Sequence, residues 1–224
     1  MNTCPHCEAE VPLVAATAET WKAVTAALTR GSRTIAEAEI SSVGLADRAT
    51  SARFIDHVLA CVYSWPFEGE LQAILHHIDQ AFGTAPRPQH FTKFDHCEEC
   101  AEHDRILRSR TVKTITRTDL GTLGWDPINF TTDQGWAYYF PALARFAVMP
   151  PIWRDRDHYA IFLANDLSRR RFDFCARDRR HAVAGLIEWI ATNEEQLSGG
   201  HSLSHGLWQN WSDGARLWRS DYLL

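Results

Sequence analysis

The sequence has little of what marks membrane, exported or nucleic-acid-binding proteins. Its longest apolar runs fall far short of the ~20 residues that a membrane-spanning helix needs. Its first residues contain neither a basic segment nor an apolar core, so we expect no secretory signal and a cytoplasmic location. The formal net charge of -5 argues against a strongly basic nucleic-acid-binding protein.

Common catalytic motifs are missing as well. The sequence contains no P-loop, no G-x-G-x-x-G, no H-E-x-x-H and no G-x-S-x-G. Their absence does not exclude an enzyme, but it removes the usual routes from a sequence to a named activity. What remains is a chain of 224 residues, of which 45% are hydrophobic and 23% are charged. That composition is typical of a soluble globular protein.

Six cysteines are present, and four of them form two C-x-x-C pairs, Cys4 with Cys7 and Cys97 with Cys100. Two residues between thiols allow one short turn to direct both sulfurs at a single ion, and two such turns complete a four-thiolate structural zinc site. Closing the long loop 8–96 costs roughly 4 kcal/mol, which is less than the ~10–16 kcal/mol that zinc supplies in peptides. The sequence therefore predicts one zinc ion held by Cys4, Cys7, Cys97 and Cys100.

Three other interpretations of these cysteines stay open. The string HCEECAEH forms a local site from His96, Cys97, Cys100 and His103, in which the last two residues share one helix face. CPHC near the amino terminus is also the sequence of some disulfide oxidoreductase active sites, although neither a preceding strand nor a following βαβ pattern is present here. In the third interpretation, CEEC carries no metal.

Apolar residues recur mostly at helical spacing, and no segment shows a convincing strand pattern. The clearest stripe, from Leu71 to Phe82, ends at Gly83 and two nearby prolines. Cys61 and Cys175 lie in apolar contexts, so we expect both thiols to be buried. The sequence predicts a helix that begins near residue 96 and further helices over 18–28, 34–45, 54–62, 71–82, 131–148, 176–197 and 203–224.

These features predict a mainly α-helical protein, with one compact domain over 1–224, a zinc-binding knuckle and at most a minor β element. Within that domain we distinguish a helical N-terminal extension over 1–70 that carries CPHC, a core over 71–197 and a Trp-rich tail over 198–224. The apolar stripe of the tail is expected to dock either onto the domain or onto another chain, because Trp combines a large apolar area with one hydrogen-bond donor.

The core contains four strings: HCEECAEHD at 96–104, GWDPINF at 124–130, WAYYFPALARF at 136–146 and ARDRRHAVAGLIEWI at 176–190. In order and spacing they resemble a bacterial domain-of-unknown-function family over roughly 71–197. The resemblance implies a compact, mostly helical cytoplasmic domain, and it supplies no activity, substrate or catalytic residue. It draws attention to the residues that match its first string: His96, Cys97, Cys100, His103 and Asp104.

We expect the protein to be a zinc-stabilised interaction or regulatory module of the bacterial cytoplasm, with a protein partner and no membrane association. A closed thiolate shell leaves no position for a substrate, which favours this role over catalysis. One alternative is a metalloenzyme whose metal is bound by His96, Cys97, Cys100 or His103 and keeps one position open to water. Another is nucleic-acid or anion binding by the arginine cluster Arg169–Arg180, which its interspersed aspartates disfavour.

Overall fold

The computed structural model describes residues 2–3, 10–11, 69–115, 117–121, 125–148, 159–167, 169–194, 197 and 211–220. Across these residues the protein is mainly helical, which confirms the predicted fold class. The chain divides into two compact units, residues 1–66 with 149–156 and residues 67–148 with 157–224. In the first unit, strand β1 (Asn2–Thr3) pairs in antiparallel fashion with strand β2 (Glu10–Val11).

Seven α-helices lie in the described part of the second unit. They are α1 (Gly69–Phe82), α2 (Glu98–Arg108), α3 (Asp133–Val148), α4 (Tyr159–Asp166), α5 (Arg169–Phe174), α6 (Arg177–Thr192) and α7 (Trp211–Arg219). Two short 3-10 helices, Arg117–Leu120 and Pro127–Phe130, lie between α2 and α3. No helix among the described residues has both the length and the apolar character that crossing a membrane requires.

Helix α3 is buried over almost its whole surface and packs against α1 and α4. Its sequence is apolar on all sides, and such a helix belongs in the centre of a core. Trp136, Tyr139 and Phe140 are fully buried. Phe82 of α1 places its ring centroid 5.7 Å from that of Trp136 and 4.6 Å from that of Phe140. The aromatic string of the sequence therefore builds the core.

Helices α6 and α7 complete this core from the carboxyl-terminal part of the chain, with α6 packed between α1 and α7. Trp211 and Trp218 of α7 are buried. The ring of Trp218 lies 6.3 Å from that of Trp136 and 5.6 Å from that of Phe172, measured between centroids. Of the two outcomes expected for the Trp-rich tail, docking onto its own domain is therefore the one observed for this helix.

The 3-10 helix Pro127–Phe130 joins α2 to the core, because it packs directly against α2. Asp126 begins it: its Oδ1 accepts a hydrogen bond from the backbone N–H of Ile128 at 2.9 Å. The hydroxyl of Tyr159 donates to the other carboxylate oxygen at 3.4 Å. Burial raises the pKa of Asp126 to about 7. This turn fixes where Phe130 and the residues after it lie.

The helices predicted over 71–82, from about 96, over 131–148, over 176–197 and over 203–224 are all present, the last over Trp211–Arg219 among the described residues and the others with boundaries shifted by a few residues. The segment Tyr159–Asp166, over which no helix is predicted above, is helical as well. The helices predicted over 18–28, 34–45 and 54–62 lie outside the described residues, as does Cys61. The division into 1–70, 71–197 and 198–224 stays a prediction.

Candidate metal centre

The segment that follows α1 brings the CEEC pair to the start of α2. Helix α1 ends at Phe82, and at the next residue, Gly83, a Cβ atom would lie 2.3 Å from the backbone oxygen of Asp79, so any larger residue would force the chain to shift. The chain then runs through two prolines to a turn over 93–96. The backbone N–H of His96 closes this turn by donating to the carbonyl of Lys93 at 2.9 Å.

Cys97 caps the amino terminus of α2. Its backbone is extended, with φ -162° and ψ 169°, and its Sγ accepts a hydrogen bond from the N–H of Cys100 at 3.4 Å. A thiol thereby takes the position that Ser, Thr, Asp or Asn usually occupies at a helix start. Glu98 and Glu99 lie in the first turn, where the helix dipole favours negative charge.

His96, Cys97 and Cys100 bring three metal-ligating atoms together, all within 4.8 Å of one another. The Nδ1 atom of His96 lies 3.8 Å from the Sγ atom of Cys100. Two ligands on one tetrahedral zinc ion are about 3.5–3.8 Å apart, given the usual zinc–sulfur and zinc–nitrogen bond lengths. The donor set therefore fits a zinc-sized ion with little rearrangement.

The two thiols of the pair differ in exposure and in acidity. Cys97 is exposed, whereas Cys100 is buried with 7% of its surface accessible. The backbone hydrogen bond from Cys100 lowers the pKa of Cys97, and His96 lowers it further. The pKa of Cys100 is raised, first by its hydrogen bond with Cys97 and then by burial. The deprotonated form that metals require is therefore favoured at the exposed sulfur.

A buried carboxylate holds the preceding loop against α2. Asp104 Oδ1 accepts hydrogen bonds from the backbone N–H groups of Phe91 at 2.6 Å and of Thr92 at 3.3 Å. Its Oδ2 lies 2.9 Å from Nδ1 of His90. The hydroxyl of Thr92 donates to the carbonyl of Cys100 at 2.7 Å. The loop before the donor turn is thus tied to helix α2, which follows the turn, by hydrogen bonds that are mostly shielded from water.

His103 does not belong to the compact group of three donors. Its ring is fully buried, with centroid distances of 4.9 Å to Trp125 and 4.5 Å to Phe130. Neither ring nitrogen has a hydrogen-bond partner, and Nε2 lies 3.6 Å from the Glu99 carboxylate, beyond hydrogen-bond distance. Burial lowers the pKa of this imidazole. The spacing of CEECAEH suggests a shared helix face, but aromatic rings enclose the His103 side chain on that face.

A cavity of about 240 Å³ adjoins the donor group. Two donors, His96 and Cys100, form part of its wall, and the remaining lining residues are Lys93, Asn129, Phe130, Thr131 and Thr132. The wall formed by residues 129–132 is held close to the loop before the donor turn, because the N–H of Thr132 donates to the carbonyl of Phe91 at 2.7 Å. Nothing in the sequence indicates this wall, since residues 129–132 show no metal-ligand spacing.

The other predicted site residues divide into two groups. Cys4 and Cys7 lie outside the described residues, so their role as ligands stays a prediction. Cys175 is buried as expected, and burial raises the pKa of its thiol to about 12. Within the parts of the chain that the structure describes, the three donors of the CEEC segment form the only His, Cys or carboxylate group compact enough to hold an ion.

The arginine cluster Arg169–Arg180 does not present a uniform basic surface. Arg171 is buried and pairs with Asp166 and Asp133, at 3.3 and 3.0 Å. Arg179 and Arg180 lie over aromatic rings, with guanidinium-to-centroid distances of 5.1 and 4.8 Å. The side chains of the first two arginines of the cluster lie outside the described part of the chain. The positions that are described mainly stabilise the fold.

Comparison of the chain with protein-family models, with curated proteins and with solved structures finds no match. The resemblance of its four strings to a bacterial domain family therefore remains a prediction. Function has to be argued from the geometry of the site itself, because a helical fold alone does not specify an activity.

Proposed function

We propose that the protein is a zinc-stabilised interaction or regulatory module whose metal is bound by His96, Cys97 and Cys100. The observation that carries this proposal is the convergence of one imidazole nitrogen and two sulfurs within 4.8 Å at a helix start. Thiolate and imidazole donors suit zinc, whereas magnesium and calcium prefer oxygen ligands. Reduced thiols are typical of the cytoplasm, which is where we place the protein. Its bacterial origin is inferred from the resemblance of the strings.

The position of the donors supports a stabilising role for the metal. All three lie within one turn and one helix start, and hydrogen bonds from Thr92 and to Asp104 tie this segment to the preceding loop. An ion bound there would hold the turn and the helix start in place. Because such a site does not exist in the unfolded chain, its binding free energy becomes folding free energy.

Exposed aromatic residues near the candidate metal centre support an interaction role for the protein. Phe94 lies in the donor turn and is 45% exposed, with its ring stacked on His90 at 3.8 Å between centroids. Trp125 is 44% exposed and contacts the ring of His103 in α2. Large aromatic side chains at a surface are favoured contacts for protein partners. We therefore infer that a partner protein contacts these exposed aromatic residues.

Metal analysis of matched variants tests the proposal. We expect about one zinc ion per chain in protein purified without chelators. Cys97→Ser, Cys100→Ser and His96→Ala should each lower the zinc content and the unfolding temperature. Cys175→Ser is the control, because its thiol is buried and does not belong to the donor group, so the substitution should leave zinc content unchanged. A native protein without zinc, or equal zinc loss in the control, would contradict the proposal.

The remaining ligand is tested by two further variants. Cys4→Ser/Cys7→Ser should lose zinc affinity when these thiols are ligands, as the sequence predicts for both of them, and should keep it when water completes the shell. His103→Ala should retain zinc, because aromatic rings enclose that imidazole apart from the donors. Loss of zinc in His103→Ala with unchanged stability of the zinc-free protein would mean that the ligand set is wrong.

The cavity beside His96 and Cys100 favours a second candidate, a metalloenzyme. A zinc ion with three protein ligands keeps a position for water, which it acidifies towards a hydroxide nucleophile. Residues of the cavity wall would then contact a substrate next to the ion. X-ray absorption at the zinc edge separates the two candidates. Four protein donors support the stabilising module, and three protein donors with one oxygen support the enzyme.

A further inference from the structure

We propose that Cys97 and Cys100 are a redox-active dithiol that exchanges with low-molecular-weight disulfides and thereby releases the metal. The exchange with disulfides takes place in the zinc-free protein and does not depend on the proposed function. Its coupling to metal release rests on the proposed function. Together they make the centre a zinc site that opens under oxidising conditions.

The geometry of the pair permits a disulfide within the chain. The two sulfurs belong to a group of atoms within 4.8 Å of one another, and a disulfide bond requires about 2.05 Å. Cys97 is exposed and lies at the cap position, before the first helical residue. Its side chain can therefore rotate towards Cys100 without disturbing packed neighbours.

The difference in exposure assigns each sulfur a role. An incoming disulfide reaches Cys97, which is exposed, more readily than Cys100, which is buried. Cys97 is therefore the attacking thiol and Cys100 the resolving thiol. Cys175 is also buried, and it lies between α5 and α6, remote in sequence from the pair, so it offers an internal control.

The exchange proceeds in two balanced steps. The thiolate of Cys97 attacks one sulfur of the disulfide RSSR, the S–S bond breaks, and one RS⁻ leaves and takes up a proton. The thiolate of Cys100 then attacks Sγ of Cys97 in the mixed disulfide, and the second RS⁻ leaves. The protein dithiol is oxidised to a disulfide, and RSSR is reduced to two RSH.

Metal binding and oxidation exclude one another at this site. A disulfide removes two of the three donors and leaves His96 alone, which cannot hold zinc tightly. Conversely, sulfurs bound to zinc are withheld from an incoming disulfide. Oxidation should therefore release zinc, and zinc should slow oxidation.

Trypsin digestion of the full-length protein allows the oxidation state of this pair to be measured from one peptide. Cleavage after Lys93 and Arg105 yields peptide 94–105, which contains Cys97 and Cys100 and no third cysteine. A disulfide within the pair therefore shows as the loss of two hydrogens from one peptide. A mixed disulfide shows as a glutathione adduct on the same peptide.

The other cysteines appear on separate peptides. Cys4 and Cys7 lie on peptide 1–22, Cys61 lies on peptide 54–93, and Cys175 lies on peptide 172–177. Oxidation of CPHC is therefore counted independently of oxidation of CEEC. This separation matters because both pairs have the same spacing.

The experiment exposes chelator-stripped and zinc-loaded protein to glutathione disulfide, then blocks free thiols, digests the samples and measures peptide masses. In the stripped protein we expect peptide 94–105 to lose two hydrogens. In the zinc-loaded protein we expect oxidation to be slower by at least about tenfold, with zinc released in step with it. Cys100→Ser should accumulate the glutathione adduct on Cys97, Cys97→Ser should form no disulfide, and Cys175→Ser should react like the native protein.

Two results would overturn the proposal. One is a stripped native protein in which peptide 94–105 stays reduced or ends as a glutathione adduct. The other is oxidation at equal rates with and without bound zinc, which would refute the coupling. A protein that never binds zinc defeats the proposed function, and the peptide mass of the stripped protein still decides the dithiol chemistry.

Discussion

Asp126 provides the sharpest quantitative prediction, because its carboxyl group is 3% exposed and its neighbours are known. One oxygen accepts the N–H of Ile128 and the other the hydroxyl of Tyr159. Burial raises its pKa from the ordinary value of 3.8 to about 7, and nearby Asp166 adds to the rise. Arg117 and both hydrogen bonds oppose the shift without cancelling it.

The sign of the pH effect follows from this shift. The folded state prefers the neutral acid, so Asp126 favours folding most at low pH and loses that contribution as pH rises from the unfolded to the folded pKa. The slope between the two values is about 1.4 kcal/mol per pH unit, which gives a loss of about 2–3 kcal/mol between about pH 5 and about pH 8.

Asp126→Asn should remove most of this loss. The amide keeps an oxygen for the N–H of Ile128 and cannot ionise, so it imitates the neutral acid. Urea unfolding of the zinc-saturated native protein and of the variant across this pH range measures the difference between their free energies of unfolding. The contributions of all other titrating groups cancel in this difference. Tyr159→Phe should act oppositely at high pH, because removing a donor to the carboxylate raises its pKa further. Parallel stability profiles for the native protein and Asp126→Asn would refute the reasoning.

Three further predictions concern stability and are checked by chemical unfolding. Asp104→Ala should cost about 3 kcal/mol, because the backbone N–H groups that it binds would be left buried without an acceptor. Gly135→Ala should cost about 1–3 kcal/mol, because its Cβ would lie 2.8 Å from the backbone oxygen of Phe91. Asp79→Ala should cost about 3 kcal/mol by leaving a buried arginine of α3 without its carboxylate, whereas Glu188→Ala should cost under about 1 kcal/mol because its ion pair is exposed. Equal costs for the last two would contradict the argument.

The helices were predictable where apolar residues alone determine them. Leu71, Leu75, Ile78 and Phe82 recur at helical spacing, and all four are buried on one face of α1. The CEEC pair was predictable for a similar reason, because two residues between thiols is a local constraint that a single turn satisfies. Local patterns of this kind need no knowledge of distant contacts.

The surroundings of His103 and Asp126 depend on contacts between residues that are far apart in the sequence, and they could not be predicted. His103 follows Cys100 at helical spacing, and only the approach of Trp125 and Phe130 from another segment encloses its ring. Likewise Asp126 precedes a proline and is typical of an exposed turn, yet Tyr159 and neighbouring helices bury it. Sequence spacing gives the face of a helix, and tertiary packing decides what covers that face.

These contacts also explain why a metal at the start of α2 would affect the core. The loop beside the donors pairs with the segment that precedes α3, through a bridge between Thr92 and Thr131. Phe130 of the same segment packs on His103 in α2. The segment leads directly into α3, whose side chains fill the centre of the unit. An ion that fixes the first turn of α2 would therefore stabilise the entry to the central helix, although its donors in this segment are only three residues.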